Sequence, residues 1–253
     1  MRLWTAPIAL LLGIGSPVPP PPDPETLARD LAEIQPQWPA ARFPVPPAAR
    51  KVDCARTRCV ALTFDDGPGE YTGPLLDTLA AHRARATFFV IGRTVADGDG
   101  ADLRRMVAEG HELGNHSWSH ADLTGLPEDG IEEELRRTQE AVRRVTGVRM
   151  AFMRPPYGAT DRRVASTSRR EGLAQILWNV DTLDWLERDG AALLRRAGGA
   201  EPGSIVLMHD IHRVTVETVP ALLEDLAARG YTFVTLSELY GRALTPGRAY
   251  LKR

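Results

Sequence analysis

Asp65, Asp66, His116, His120, Arg154, Asp184 and His209 are the residues of this chain whose types could together run a hydrolysis. They lie in five short segments: Thr63-Phe64-Asp65-Asp66-Gly67, His116-Ser117-Trp118-Ser119-His120, Arg154-Pro155-Pro156-Tyr157, Asp181-Thr182-Leu183-Asp184-Trp185 and Leu207-Met208-His209. Two histidines four residues apart bring two imidazoles together if their segment makes one turn. With one carboxylate they form a three-ligand set that leaves positions on a divalent ion open for water and substrate. Zinc is the first expectation, and cobalt or manganese suit the same donors. Adjacent aspartates in a strand point to opposite faces. At a strand end turned by Gly67-Pro68, one of Asp65 and Asp66 can bind the ion while the other handles protons.

The remaining segments supply the other needs of such a reaction. A guanidinium at Arg154 would keep a neighbouring carboxylate ionised and oriented, and Pro155-Pro156 fixes the backbone after it. A backbone N–H at Tyr157 could face a developing oxyanion. Asp184 could hydrogen-bond His209 and raise its proton affinity, making it a usable acid near neutral pH. Trp185 and Leu207 would then wall a space the size of a methyl group. His111-Glu112 begins a helix-borne zinc motif that would need histidine at 115, where Asn115 stands, so His111 reads as structural. Asp210 and His212 read as rim or cap residues.

These side chains are far apart in sequence and need a scaffold that gathers them. Strand-length apolar runs at 60–64, 86–90, 112–115, 151–153, 175–178, 205–208 and 232–235 alternate with helical patterns at 74–82, 101–109, 127–146, 161–171, 190–197 and 216–229. Such alternation predicts an α/β fold with a parallel sheet and helices outside it. About seven repeats approach a (β/α) barrel. Each motif follows the C-terminal end of an expected strand, the rim where such barrels build their sites.

The five segments in this order resemble the polysaccharide deacetylases of carbohydrate esterase family 4, which share the NodB homology domain. The resemblance covers roughly residues 52–240. It implies a distorted (β/α) barrel and metal-dependent hydrolysis of acetyl groups from a sugar polymer. Carried over by residue, it makes Asp65 the general base and Asp66, His116 and His120 the metal ligands. Arg154 would orient Asp65, the Tyr157 amide would help hold the oxyanion, Asp184 would tune the acid His209, and Trp185 and Leu207 would line the acetyl pocket. Peptidoglycan N-acetylglucosamine leads among substrates, with chitin oligomers next. The rivals are an O-acetyl esterase on xylan and a non-catalytic carbohydrate-binding module.

The rest of the sequence bounds this reading. The chain has 253 residues, 43% hydrophobic, with a net charge of −2. No basic run or glycine-rich phosphate loop calls for nucleic acid. Arg2 precedes an apolar stretch from Leu3 to Ile14, the length of a signal-peptide core and short for a bilayer span. Residues 1–16 are therefore expected to be a signal peptide or a short membrane anchor, placing the protein outside the cell or in its envelope. A proline-rich linker over 17–51 follows, with a short amphipathic helix at Glu25–Ile34, then the deacetylase-like domain over 52–243 and a tail over 244–253. A monomer is expected. Cys54 and Cys59 are the only cysteines; in an exported chain they are expected to pair, two free thiols being the alternative. So short a loop would add a few kcal/mol at most.

Overall fold

Strand β1 (Cys59–Asp65) is buried along its whole length, as befits a parallel strand covered on both faces. Val60, Leu62 and Phe64 enter the larger core beneath the helices. Cys59 and Ala61 enter a second, smaller cluster with Phe89, Phe152, Ala174, Ile176 and Ile205. Thr63 and Asp65 share the parity of this inner group, which points them into the barrel.

The computed structural model describes residues 43–253, and the expected leader or anchor over 1–16 and the Glu25–Ile34 helix lie outside them. After β1 come α1 (Thr72–Ala81), β2 (Thr87–Val90), α2 (Gly92–Asp97), α3 (Ala101–Glu109) and β3 (Glu112–Asn115). Next are α4 (Glu128–Thr146), β4 (Phe152–Met153), α5 (Arg162–Arg170), β5 (Ala174–Ile176), β6 (Val180–Asp181) and α6 (Asp184–Glu187). The chain closes with α7 (Gly190–Ala197), β7 (Ile205–His209), α8 (Arg213–Ala228), β8 (Thr232–Phe233), α9 (Leu236–Tyr240) and β9 (Ala249–Tyr250). All strand pairs are parallel, in the order β6-β7-β1-β2-β3-β4-β5-β9, with β8 alongside the start of β1. The α/β barrel-like architecture is as expected, with nine strands among the described residues in place of about seven. No helix among the described residues is long and apolar enough to cross a membrane.

Local chemistry explains the boundaries. The longest helix, α4, starts after Pro127 with Glu128 and Asp129 in its first turn and ends with Arg143 and Arg144 before Gly147. Those charges oppose the helix dipole, and Gly147, at φ 74°, takes the left-handed conformation of a C-terminal stop. Thr235, expected in the last strand, instead caps α9 in a capping box with Glu238, which ends the strand at Phe233. Glu238 also accepts from Arg50 (2.9 and 2.8 Å) and from Arg85 (2.8 Å), so residues just before the expected domain start dock onto α9. Cys54 and Cys59 are joined in a disulfide.

The expected tail over 244–253 needs correction. Gln175 and Ile176 of β5 pair with Ala249 and Tyr250 of β9, and Ser204 bridges to Lys252. This segment thus spans the gap between β5 and the start of β7, which β6 alone does not close. Tyr250 is buried, stacks edge-on against Tyr240 at 5.5 Å, and its hydroxyl accepts from the Thr245 amide. A strand of two residues behind Pro246-Gly247 has no apolar run to announce it. Tyr250→Ala should cost about 3 kcal/mol in denaturant unfolding, as for other buried aromatics; an unchanged midpoint would mean the segment is a tail after all.

Candidate metal centre and its flanking acid and base

The motif residues meet at the C-terminal rim of the sheet. Asp65 ends β1, His116 follows β3, Arg154 follows β4, Asp181 ends β6 and His209 ends β7. Of the seven non-glycine residues with positive φ among those described, five lie in the motifs: Asp66, Ser117, His120, Tyr157 and Leu183. Strain of this kind persists where the surroundings over-determine it, and it concentrates at functional sites.

Asp66, with φ 75°, turns away from the inner face that Asp65 follows. Its Oδ1 lies 3.4 Å from Nε2 of both His116 and His120. One ligand atom from each of these three residues falls within 4.8 Å of the others. The His116 Nδ1 is 2.7 Å from the Arg154 carbonyl, which can only accept, so Nδ1 carries the proton and Nε2 offers its lone pair. Asp66 Oδ1 is buried and has no hydrogen-bond partner. Acceptors converging on a buried orphan oxygen make a poor hydrogen-bonded cluster and a good cation site. Burial works against ionising Asp66, yet the neighbouring His116 first, then His120 and His209, outweigh it and hold its carboxyl at about 2. Burial, then His116, lowers the proton affinity of His120. The donor set fits a divalent metal.

On one flank stands Asp65, whose Oδ1 accepts from Arg154 Nη1 at 2.7 Å. Arg154 is fully buried. Its other donors reach Thr63 Oγ1 (2.9 Å) and the carbonyls of Ile176 and Leu177 (3.2 Å each), and its guanidinium lies 4.3 Å above the Phe89 ring. That ring needs Gly114 in the neighbouring strand, because a Cβ there would sit 2.4 Å from it. On the other flank, His209 Nδ1 bonds Asp184 Oδ1 at 2.8 Å. Asp184 Oδ2 accepts from the His209 amide (2.8 Å) and from Thr215 Oγ1 (2.7 Å). Burial disfavours the imidazolium, but the Asp184 bond and the Asp65 and Asp66 carboxylates prevail and push His209 up to about 9.

The other expected residues are placed less tightly. Tyr157 is 71% exposed, with its ring 4.7 Å from that of His120. Trp185, next to Asp184 in α6, is 46% exposed, while Leu207 is buried in β7 on the inner face. His111 stays out of the site: it is buried, accepts from the Ala86 amide at 3.1 Å, and burial lowers it to about 4. Asp210, next to His209 at the end of β7, is not exposed at the rim. It is fully buried, bonded to Thr72, and set beneath Gly67, where a Cβ would come within 2.2 Å of its carboxylate. His212 precedes α8 with its ring 5.6 Å from that of His209. Thr63 opens the first motif, but nothing in the sequence gives it a role there; sequence reasoning missed Thr215, which carries no motif signal beyond its hydroxyl, and Glu134, whose carboxylate grips the histidine loop.

Residues 53–176 match the sequence profile of the family described as polysaccharide deacetylase. The peptidoglycan-N-acetylglucosamine deacetylase PgdA of Listeria monocytogenes is 39% identical over 239 residues, which is 93% of this chain and 50% of the relative. The chain therefore spans about half the length of that curated relative. The solved T48 deacetylase with substrate is 47% identical and superposes with a TM-score of 0.75, over 79% of this chain and 99% of that one. A family 4 acetyl xylan esterase from Clostridium thermocellum, in complex with a cobalt ion, is 32% identical with a TM-score of 0.72, over 77% of this chain and 98% of that one. With the motif residues gathered at one rim and these likenesses in sequence and fold, the chain belongs to the polysaccharide deacetylases of carbohydrate esterase family 4.

Proposed function

We propose that this protein is a metal-dependent hydrolase that removes N-acetyl groups from N-acetylglucosamine units of a cell-wall polysaccharide, peptidoglycan first and chitin oligomers second. The observation that carries the reading is the Asp66, His116 and His120 cluster with an arginine-held carboxylate on one side and a carboxylate-held imidazole on the other. That arrangement matches the hydrolysis of an amide, which needs a base for water and an acid for the amine. Zinc is the first candidate for the ion, with cobalt or manganese as alternatives. When bound, it supplies Lewis-acid polarisation of the acetyl carbonyl and lowers the pKa of water.

The chain's own groups account for the proton movements. Asp65, with one oxygen fixed by Arg154, accepts the proton of the attacking water on its other oxygen. His209 donates to the departing nitrogen, and Asp184 holds the imidazole by Nδ1, leaving Nε2 to face the substrate. The Tyr157 amide assists at the oxyanion, and Trp185 and Leu207 bound the acetyl methyl. The disulfide and the apolar run Leu3 to Ile14 support export to the cell surface, with the protein working as a monomer and at most an N-terminal tether. The likeness to a xylan esterase favours one second reading, ester hydrolysis. An alkoxide leaves with less help from an acid, so His209→Ala would harm an esterase less than an amidase.

Acetate release by the metal-loaded full chain tests this directly, with peptidoglycan, chitin oligomers and acetylated xylan as substrates, each with and without chelator. Chelator-sensitive release from peptidoglycan or chitin oligomers is expected. Release from xylan alone would move the reading to an esterase, and none from any substrate with metal bound would leave a binding module. The pH profile tests the acid. A proton that must be present is lost as pH rises, so with Asp184 in place the alkaline limb of kcat/KM is expected above the ordinary histidine range. Asp184→Asn should move that limb down by a unit or more, on the order of the bond and charge it removes. An unmoved limb would show that His209 is not the acid.

A further inference from the structure

The two metal-ligating histidines sit on a loop that regular structure does not hold. Between β3 and the next turn, residues 116–120 include Ser117 at φ 63° and His120 at φ 59°, the left-handed region that side-chain-bearing residues avoid. One of these strained residues is itself a ligand. Something outside the loop must select this conformation.

The backbone bonds show what does. Asn115 Oδ1 accepts from the Ser117 amide at 2.9 Å, and its Nδ2 donates to the Leu135 carbonyl of α4 at 2.8 Å. Gly92 and Arg93, at the start of α2, donate to the carbonyls of Ser117 and Trp118. Ser117 Oγ accepts from the His120 amide at 3.0 Å. The middle of the loop is held by one side chain. Glu134 of α4 accepts from the amides of Trp118 and Ser119 through Oε2, both at 2.8 Å, and from Ser119 Oγ through Oε1 at 2.8 Å. One turn along α4, Arg137 lies 3.9 Å over the Trp118 ring. A charged acceptor serving two consecutive amides is a strong hydrogen-bond arrangement.

We infer that Glu134 is a positioning residue for the metal site: by clamping the Trp118-Ser119 peptide from α4, it sets the separation and aim of His116 and His120. The inference rests on the metal reading proposed above. Glu134 bonds the loop backbone and Ser119 Oγ and neither ligand imidazole, so its effect reaches the ion through the loop. Without the clamp, the Trp118 and Ser119 amides lose their acceptor and His120 is free to leave the left-handed conformation. The cost should fall on metal affinity more than on the fold, because α4 also packs through Ile131, Leu135 and Val142.

The test is Zn2+ affinity of the full chain by competition with a chromophoric chelator, together with thermal unfolding of the metal-free protein. Glu134→Ala should weaken Zn2+ by about 10- to 100-fold, the range for groups that orient metal ligands. Glu134→Gln keeps an oxygen for both amides and offers its NH2 to the Ser119 hydroxyl, so it should stay within about threefold of the parent. Glu134→Asp retains charge but loses one methylene of reach, and should weaken binding even if the alanine variant does not fold. Alanine and aspartate variants that bind Zn2+ like the parent would overturn the inference, whatever happens to the unfolding temperature. Asp66→Ala separates the two claims. If it loses Zn2+ while the Glu134 variants keep it, only the positioning role fails; if it too binds like the parent, the metal reading fails.

Discussion

A guanidinium with no solvent exposure, bonded at 2.7 Å to a carboxylate that is almost as buried, is the constraint around which this structure is arranged. Taking such a pair from water costs several kcal/mol per ion, and an apolar pair of similar volume is often as stable or more so. Stability therefore does not explain Arg154 and Asp65. The interior around them is built to make the pair tolerable. Thr63 and two strand-end carbonyls take the remaining donors, Phe89 offers its face, and Gly114 leaves room for that ring. The same residue links the site's two halves, because its backbone carbonyl fixes the His116 tautomer while its side chain fixes Asp65.

Two neighbouring carboxylates can then do unlike work. Asp65 follows the inner face of β1 and bonds the arginine, with its other oxygen 3.6 Å from His116 Nε2, whereas Asp66 turns out of strand geometry and meets both imidazoles at 3.4 Å. Across the mouth, Asp184 raises His209 to about 9 while the imidazoles hold Asp66 at about 2. Environments that drive titratable groups apart place a proton-bearing imidazole and an anionic metal ligand within one small volume. The cluster of left-handed residues around these groups is the conformational cost of that placement.

Much of this was legible in the sequence, for physical reasons that can be named. Strands buried on both faces announce themselves as apolar runs, and helices such as Ala101–Glu109 and Gly190–Ala197 fall where their periodicity and flanking glycines put them. Motif residues at strand ends follow from parallel barrel geometry, which brings every C-terminal end to one rim. What was not legible depends on contacts between distant segments. Ala249–Tyr250 becomes a strand only because β5 leaves an edge for it. Asp210 looked like a rim residue, yet the missing side chain of Gly67 makes space to bury it. Glu134 stands in the run Glu132-Glu133-Glu134, in which nothing sets one carboxylate apart from the others. Only the path of the histidine loop shows which of the three turns inward.

The central claim is that Asp66 holds the ion and Asp65, steadied by Arg154, moves the proton. Metal affinity and turnover measured side by side on Asp65→Asn and Asp66→Asn test it most directly. Asp65→Asn should bind Zn2+ nearly as well as the parent while turnover falls by about 100- to 10,000-fold, the range for a lost general base. Asp66→Asn should lose the metal first and activity with it. If instead Asp65→Asn lost Zn2+ as severely as Asp66→Asn, or kept near-parental turnover with metal bound, the division of labour between the two carboxylates would be wrong.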